Sequence, residues 1–548
     1  MPSAPKIPLI LQLYIKQIHA IQMKINKQVV KHIVVISAVI ATTFGAILFN
    51  YRHIALIKYI PKNASIVVKL DLFSIAKKSN FQETKLQSPL MELLFDNEFG
   101  QLLKNPKNSG ISMYFPIYGA LYKDTSLKNS NVQNLVIICK LADAEIFKTF
   151  VEKTHKSILN LDQTAILKNK IFRYNTAGYS IIWDNKIATI NVFNANNANT
   201  YVYREDMWLG LNILKNNNQQ TNHKIIEFNH QKQDIGILIN SAELLNFPNR
   251  TMGISNWLTK DSQFSNIATS IGIQFNTGYI HLNMKNYLSH ANALKLDFLK
   301  TPSTAFLNTL PNNAIALSSH SLNFEKIIHF LLQFKPELQK QVKKEFQDFS
   351  GDIGIALTKI QAKQETISQY NEDIELDEYS QSIPSNHPEF DFEVQIILGK
   401  KHMNAKNKYL LSLLELLYNK VQITENRIAF TPKFGGNNLF YLHTLKHAWV
   451  FSNSSNIDKQ QNGATKQNYP VFGYINCQHP DIIKLKKSYS NTANLIEVTN
   501  WINQIQWKGE HQEAQLDIQL MDSNKNALAY LLENSFQLYQ ANKTSFIQ

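Results

Sequence analysis

Cysteine is nearly absent from this sequence: 548 residues contain two, Cys139 and Cys477. No C-x-x-C pair and no zinc-type spacing occurs, so neither dithiol redox chemistry nor a structural zinc site is expected. The two thiols allow one long-range disulfide in an oxidising compartment, or two small buried apolar side chains. The second is expected, because free cysteine is among the most buried residue types. Clustered arginine is missing as well. The net charge of +14 invites a nucleic-acid reading, but residues 1–60 supply +7 of it through Lys6, Lys16, Lys24, Lys27, Lys31, Arg52 and Lys58, with no acid among them. The other +7 is spread over 488 residues, mostly as scattered lysine. That is a mildly basic surface and not a stripe that follows phosphates, so no nucleic-acid partner is expected. No Walker loop, G-x-G-x-x-G fingerprint, G-x-S-x-G elbow or H-E-x-x-H occurs. Cys477 and His479 lie two apart ahead of Pro480, a spacing that suits local packing at a helix start better than catalysis. Asp71 follows a strand-like run and is expected to cap a helix. The sequence therefore names no catalytic residue, cofactor site or metal ligand, and the expectation is a protein that is not an enzyme.

One long apolar run is present. Ile33 to Phe49 carries no charged residue and would span about 26 Å as a helix, close to the hydrocarbon thickness of a bilayer. It reads as an uncleaved transmembrane signal anchor, because Ala46 has Phe44 at −3, and cleavage after Ala41 would leave a very short apolar core. Residues 1–32 form its cytoplasmic tail. Within them Ile7, Leu11, Tyr14, Ile18, Ile21 and Ile25 recur at helical spacing, as on an in-plane amphipathic helix. Met23 begins an ordinary short cationic segment and is an alternative start. Flanking charge ties: Lys16, Lys24, Lys27 and Lys31 lie before the run, and Arg52, Lys58, Lys62 and Lys69 after it.

Beyond the anchor, four blocks recur in one order. IPKNASIVVKLDLFSIAK from Ile60 matches LPNNAIALSSHSLNFEKI from Leu310, with Pro61 on Pro311 and Asn63 on Asn313. Ser109-Gly110 matches Ser350-Gly351. NLVIICK from Asn134 and FEVQIILGK from Phe392 each precede a helix, near Glu145–Lys156 and Asn404–Tyr418, and then hairpins, one turning at Asp184-Asn185. IGILIN from Ile235 matches FGYIN from Phe472, placing Gly236 on Gly473, and a strand pair follows each, from Ser270 and from Gln504. The expected fold is α+β: two tandem duplicated domains, 60–300 and 305–540, each with a large antiparallel sheet and helices on one face. The second carries an acidic insertion, 361–391, that lacks calcium-loop geometry and reads as a solvated loop. Asn216–Asn222 and Gln460–Asn468 read as loops also.

The opening Pro61-Lys-Asn-Ala, the Val67-Val68 and Asp71-Leu72 that follow, Ala76-Lys-Lys-Ser79 and Ser109-Gly-Ile111 resemble a family of uncharacterised envelope proteins of Bacteroidota. The likeness is clearest over residues 60–195, and its motifs are structural. It implies an outward-facing globular part on the inner (cytoplasmic) membrane, reaching into the periplasm. Members are typically lipoproteins, whereas this chain carries an apolar run and no nearby cysteine. The functional expectation is a non-enzymatic envelope protein that binds other envelope proteins or organises the surface. Two alternatives stand beside it: a binder of a lipid or other apolar ligand between the two domains, and a hydrolase of unrecognised type.

Overall fold

A computed structural model describes residues 56–79, 106–123, 133–154, 172–175, 179–192, 223–240, 267–287, 298–332, 344, 346–362, 390–405, 408–424, 427–433, 439–457, 468–488 and 499–545. The apolar run 33–49, the segment 7–25, Asn216–Asn222 and most of the acidic insertion lie outside the described residues. Among the described residues no helix is long and apolar enough to cross a membrane.

The architecture is α+β and mostly sheet, with nineteen strands among the described residues in one antiparallel array. In the first half these are β1 (Ala64–Leu70), β2 (Ile117–Lys123), β3 (Gln133–Lys140), β4 (Phe172–Asn175), β5 (Tyr179–Trp183), β6 (Ile187–Val192), β7 (Ile235–Asn240), β8 (Ala268–Asn276) and β9 (Tyr279–Tyr287). In the second they are β10 (Ala316–Ser321), β11 (Phe349–Ala362), β12 (Phe390–Lys400), β13 (Tyr418–Ile423), β14 (Arg427–Pro432), β15 (Phe440–Thr444), β16 (Ala448–Ser452), β17 (Val471–Asn476), β18 (Ile502–Glu510) and β19 (Glu513–Leu520). The helices are α1 (Leu72–Lys78), α2 (Pro106–Ser109), α3 (Ala144–Thr154), α4 (His223–His230), α5 (Thr304–Leu307), α6 (Phe324–Leu332), α7 (Lys408–Leu417), α8 (Pro480–Ser488) and α9 (Ala527–Ser545).

Local chemistry sets the boundaries. β1 is a β-branched run that ends at Asp71, whose carboxylate accepts from Ser74 N at 3.0 Å and caps α1. Asp143 caps α3 by accepting from the backbone N–H of Glu145 and Ile146. Asp184 closes the β5–β6 hairpin, its Oδ1 taking the N–H of Lys186 and Ile187 at 2.7 Å each.

Strand pairing in the first half runs β4-β5-β6-β3-β2-β1-β7-β8-β9. In the second it runs β14-β15-β16-β12-β11-β10-β17-β18-β19, with β13 added outside β14. Single hydrogen bonds follow the same order. Asp71 N donates to Asp234 O, and Ser321 N to Pro470 O; Leu141 N donates to Lys186 O, and Lys400 N to His447 O. The halves meet where β9 pairs with β19. Directly opposed residues form one line across the join. Lys69 faces Gly236, Gly236 faces Gly272 and Gly272 faces Asn283; Ser319, Phe472, Lys508 and Gln515 repeat those steps, and Asn283 faces Gln515. The pairing at the join is thus two-fold in register about Asn283 and Gln515.

Two sequence expectations are corrected. Helices do not lie on one face. Ile117 and Cys139 pack with Phe147 and Val151 of α3, while their chain neighbours Tyr118 and Ile138 pack with Ile225 and Phe228 of α4 and the 3-10 turn at Ile57–Tyr59. Neighbouring strand residues point to opposite faces, so both faces of these strands are covered. Half-exposed alternation is seen in β11 and β12, where Ile355 and Ile396 are exposed beside buried Ala356 and Ile397. Gly236 also does not fall on Gly473: Gly236 faces Lys69, whereas Gly473 faces Ser318, one residue earlier than Ser319 and so on the other face. Gly110 and Gly351 share a left-handed φ, 71° and 91°, near the starts of β2 and β11. The acidic segment joins β11 to β12, which stay paired out to Ala362 and Phe390.

Candidate functional site

The first candidate is a face of the sheet. Trp507, Leu516, Leu282, Ile273, Ile235 and Leu70 stand directly opposite one another across six strands. On the far side the line continues through Gly473 and Ser318 to Ile355 and Ile396. Flanking positions on the same face include Ile505, Ile518, Ile280 and Phe275. The opposite face of the same central strands carries His281, Asn283, Lys285, Gln515, Asp517 and Gln506. This alternation would ordinarily mark the buried side of an antiparallel sheet. Yet Met284 is 38% exposed, Ile355 47% and Ile396 38%. α3 covers this face at one end, over Ile117 and Trp183, and α7 covers it at the other, over Leu398 and Trp449. None of the core clusters among the described residues places a helix over Leu516 and Leu282.

The second candidate is a cleft of 770 Å³ on the polar side of the join. Its walls come from the β1–α1 junction, the turn before β7, the end of β8, and the segment from Asn524 into α9. Asp234 anchors one wall. Its carboxylate accepts from Lys78 Nζ at 2.7 Å, Ser74 Oγ at 2.5 Å and Phe275 N at 2.6 Å. Charge-assisted bonds of this kind fix a buried carboxylate. The opposite wall is tied across the join by Asn526, whose side-chain amide donates to Phe275 O. There Glu533 pairs with Lys525 and holds the ammonium above the ordinary lysine range.

The third is a smaller cavity of 490 Å³ lined by His281, Asp517 and Ser523. His281 Nδ1 lies 2.6 Å from Asp517 Oδ1, directly across the β9–β19 ladder. No hydrogen bond joins Ser523 to His281, so the nucleophile-to-base step of a triad is not assembled. The pair acts as a tie between the halves.

Residues weighed from the sequence take structural places. Asp71 is a cap, and its side chain also lines the larger cleft. Cys139 and Cys477 are free and buried, and burial pushes the Cys139 thiol up to about 12, an unreactive value. His479 Nδ1 accepts from Asp481 N at the start of α8 and does not engage Cys477. Neither the apolar face nor the cleft was visible in the sequence. Both depend on pairing residues more than 230 apart.

No family model matches the chain, and no curated protein does. Solved structures of TP0453 align with part of it. Crystal form III aligns at a TM-score of 0.26 with 8% identity, covering 45% of this chain and 88% of that one. Crystal form IV aligns at 0.27 with 10% identity, covering 45% and 87%. Scores this low carry no argument about fold or function.

Proposed function

We propose that this chain is a membrane-anchored envelope protein, held by the apolar run 33–49 with its globular part outside the cytoplasm, and that it binds another envelope protein through the apolar face of its sheet. We take the two halves to be copies of one α+β unit, one over residues 60–300 and one over 305–540. The observation that carries the binding role is the apolar face itself. Contiguous exposed apolar surface is uncommon on a monomer, and larger patches of it mark association sites. The role needs no catalytic group. An apolar small ligand has weaker support, since the larger cleft is lined mainly by lysine, carboxylate and amide side chains.

A photo-crosslinking residue placed at Met284 or Ile396 should capture a discrete protein in intact cells, whereas one at Asn283, on the opposite face, should not. Equal capture from both faces, or capture of lipid alone, would overturn the proposal. Protease added to spheroplasts should digest the region beyond Leu56. A C-terminal tag that stays protected until lysis contradicts the orientation.

A further inference from the structure

We infer that the 770 Å³ cleft at the join is a binding site for an anionic sugar, a polyhydroxylated ring carrying a carboxylate or phosphate. Three features meet there. Lys77, from α1, and Lys232, from the turn before β7, are exposed and have no acidic partner among the described residues, whereas Lys78 and Lys525 are each paired. These two free ammonium groups supply the anion-binding charge. Gln274, Asn276 and Asn524 add side-chain amides that are likewise unpartnered among the described residues. Gln233, only 6% exposed, also lines the cleft, and its Oε1 has no hydrogen-bond donor. That oxygen lies against Gly272, so Gln233 shapes the floor of the cleft from beneath. Phe73, 39% exposed, lines the same space with its ring beside that of Tyr114, 5.4 Å between centroids. The volume lies in the range of small-molecule sites.

The second half supplies an internal control. Its ladders place Ser321 where the first half has Asp71, and Pro470 where it has Asp234. Counted from the helix caps Asp71 and Asn323, His329 and Phe330 stand where Lys77 and Lys78 do, and counted back along β7 and β17, Asn468 stands where Lys232 does. Tyr469 stands where Gln233 does. The strand order forms without this polar set, so the fold does not require it. Its presence in one half alone, with every donor facing one cleft, points to a ligand.

This inference is independent of the apolar face. The test titrates the full-length chain in detergent with three probes: D-glucuronate, D-glucose, and an oligosaccharide ending in glucuronate. Saturable binding of glucuronate is expected, with glucose at least tenfold weaker. Tighter binding of the oligosaccharide would assign the natural source to a polymer, and equal binding would assign it to a free sugar acid. The Lys77→Gln, Lys232→Gln variant should keep its unfolding midpoint and lose at least tenfold in affinity. Glucose binding as tightly as glucuronate, unchanged affinity in the variant, or no saturable binding of any probe would each overturn it.

Discussion

Trp183 in β5 and Trp449 in β16 fill the same layer of their respective halves from opposite sides of the same ladder. Trp183 faces Ala188, and at the matching rungs Thr444 faces Trp449. Each half has one indole and one small partner, exchanged across a pair of strands. The line through the join shows a similar exchange. In the first half the Gln233 amide lies over two glycines, where a Cβ on Gly236 or Gly272 would meet it at 2.2 Å or 2.4 Å. In the second, Phe472 and Lys508 hold those rungs with their own side chains, and Lys508 Nζ sits 5.0 Å from the centre of the Tyr469 ring. The ladder hydrogen bonds keep the backbone order, while the volume of each layer can be supplied from either strand.

That comparison can be broken most sharply at the tryptophan. Trp183→Thr empties a fully buried site packed against Phe147 and Phe172, and should cost about 3–5 kcal/mol in urea unfolding. Adding Ala188→Trp, which copies the second half's arrangement, should recover more than half of the loss. Neither indole N–H has a hydrogen-bond partner, so the exchange forfeits no bond. If the double variant is no more stable than the single one, the layers are not interchangeable.

A smaller contrast lies in two glycines on the apolar face. A Cβ on Gly473 would meet Trp507 at 2.2 Å and Leu317 O at 2.4 Å, so Gly473→Ala should destabilise by about 1–3 kcal/mol. On Gly119 the nearest atom is Val68 Cβ at 3.9 Å, and Gly119→Ala should stay within about 0.5 kcal/mol of wild type. Similar losses at both sites would show that the neighbours of Gly473 yield freely.

The smallest expected effect is one of pH. Burial holds His320 and His443 below the ordinary histidine value, and the nearby Arg427 pushes His443 the same way. Both belong to the second half. A depressed histidine favours the folded state above its unfolded pKa of about 6.5, and this contribution is lost as pH falls through the lower folded value. Hydrogen exchange at pH 5 against pH 7 should therefore show protection falling more in β14–β17 than in β4–β7. Equal loss in both would assign the acid sensitivity elsewhere.

Several element boundaries could be read from short-range signals. Pro61 and Pro311 mark where the chain enters each half, Asp71 reads as a cap, and the Asp184 turn closes its hairpin as expected. The slip of one residue between Gly236 and Gly473 was hidden, because matching IGILIN to FGYIN aligns glycines by identity, whereas the face is set by which rung Lys69 or Ser319 occupies. The second covered face was hidden too. It needs Phe228 of α4 beside Ile138, ninety residues away. The cleft was the least legible part, since its lysines and Gln233 meet Asn524 only because β9 pairs with β19.

That pairing makes one sheet of the two halves, and a disulfide across it tests the register directly. Opposed residues on antiparallel strands bring Cα atoms to about 4.5–5.5 Å, within disulfide reach. Asn283→Cys with Gln515→Cys should crosslink under mild oxidation and shift mobility on a non-reducing gel. Asn283→Cys with Leu516→Cys, whose side chains point to opposite faces, should not. Crosslinking in the second pair, or in neither, would contradict a join that is two-fold in register about Asn283 and Gln515.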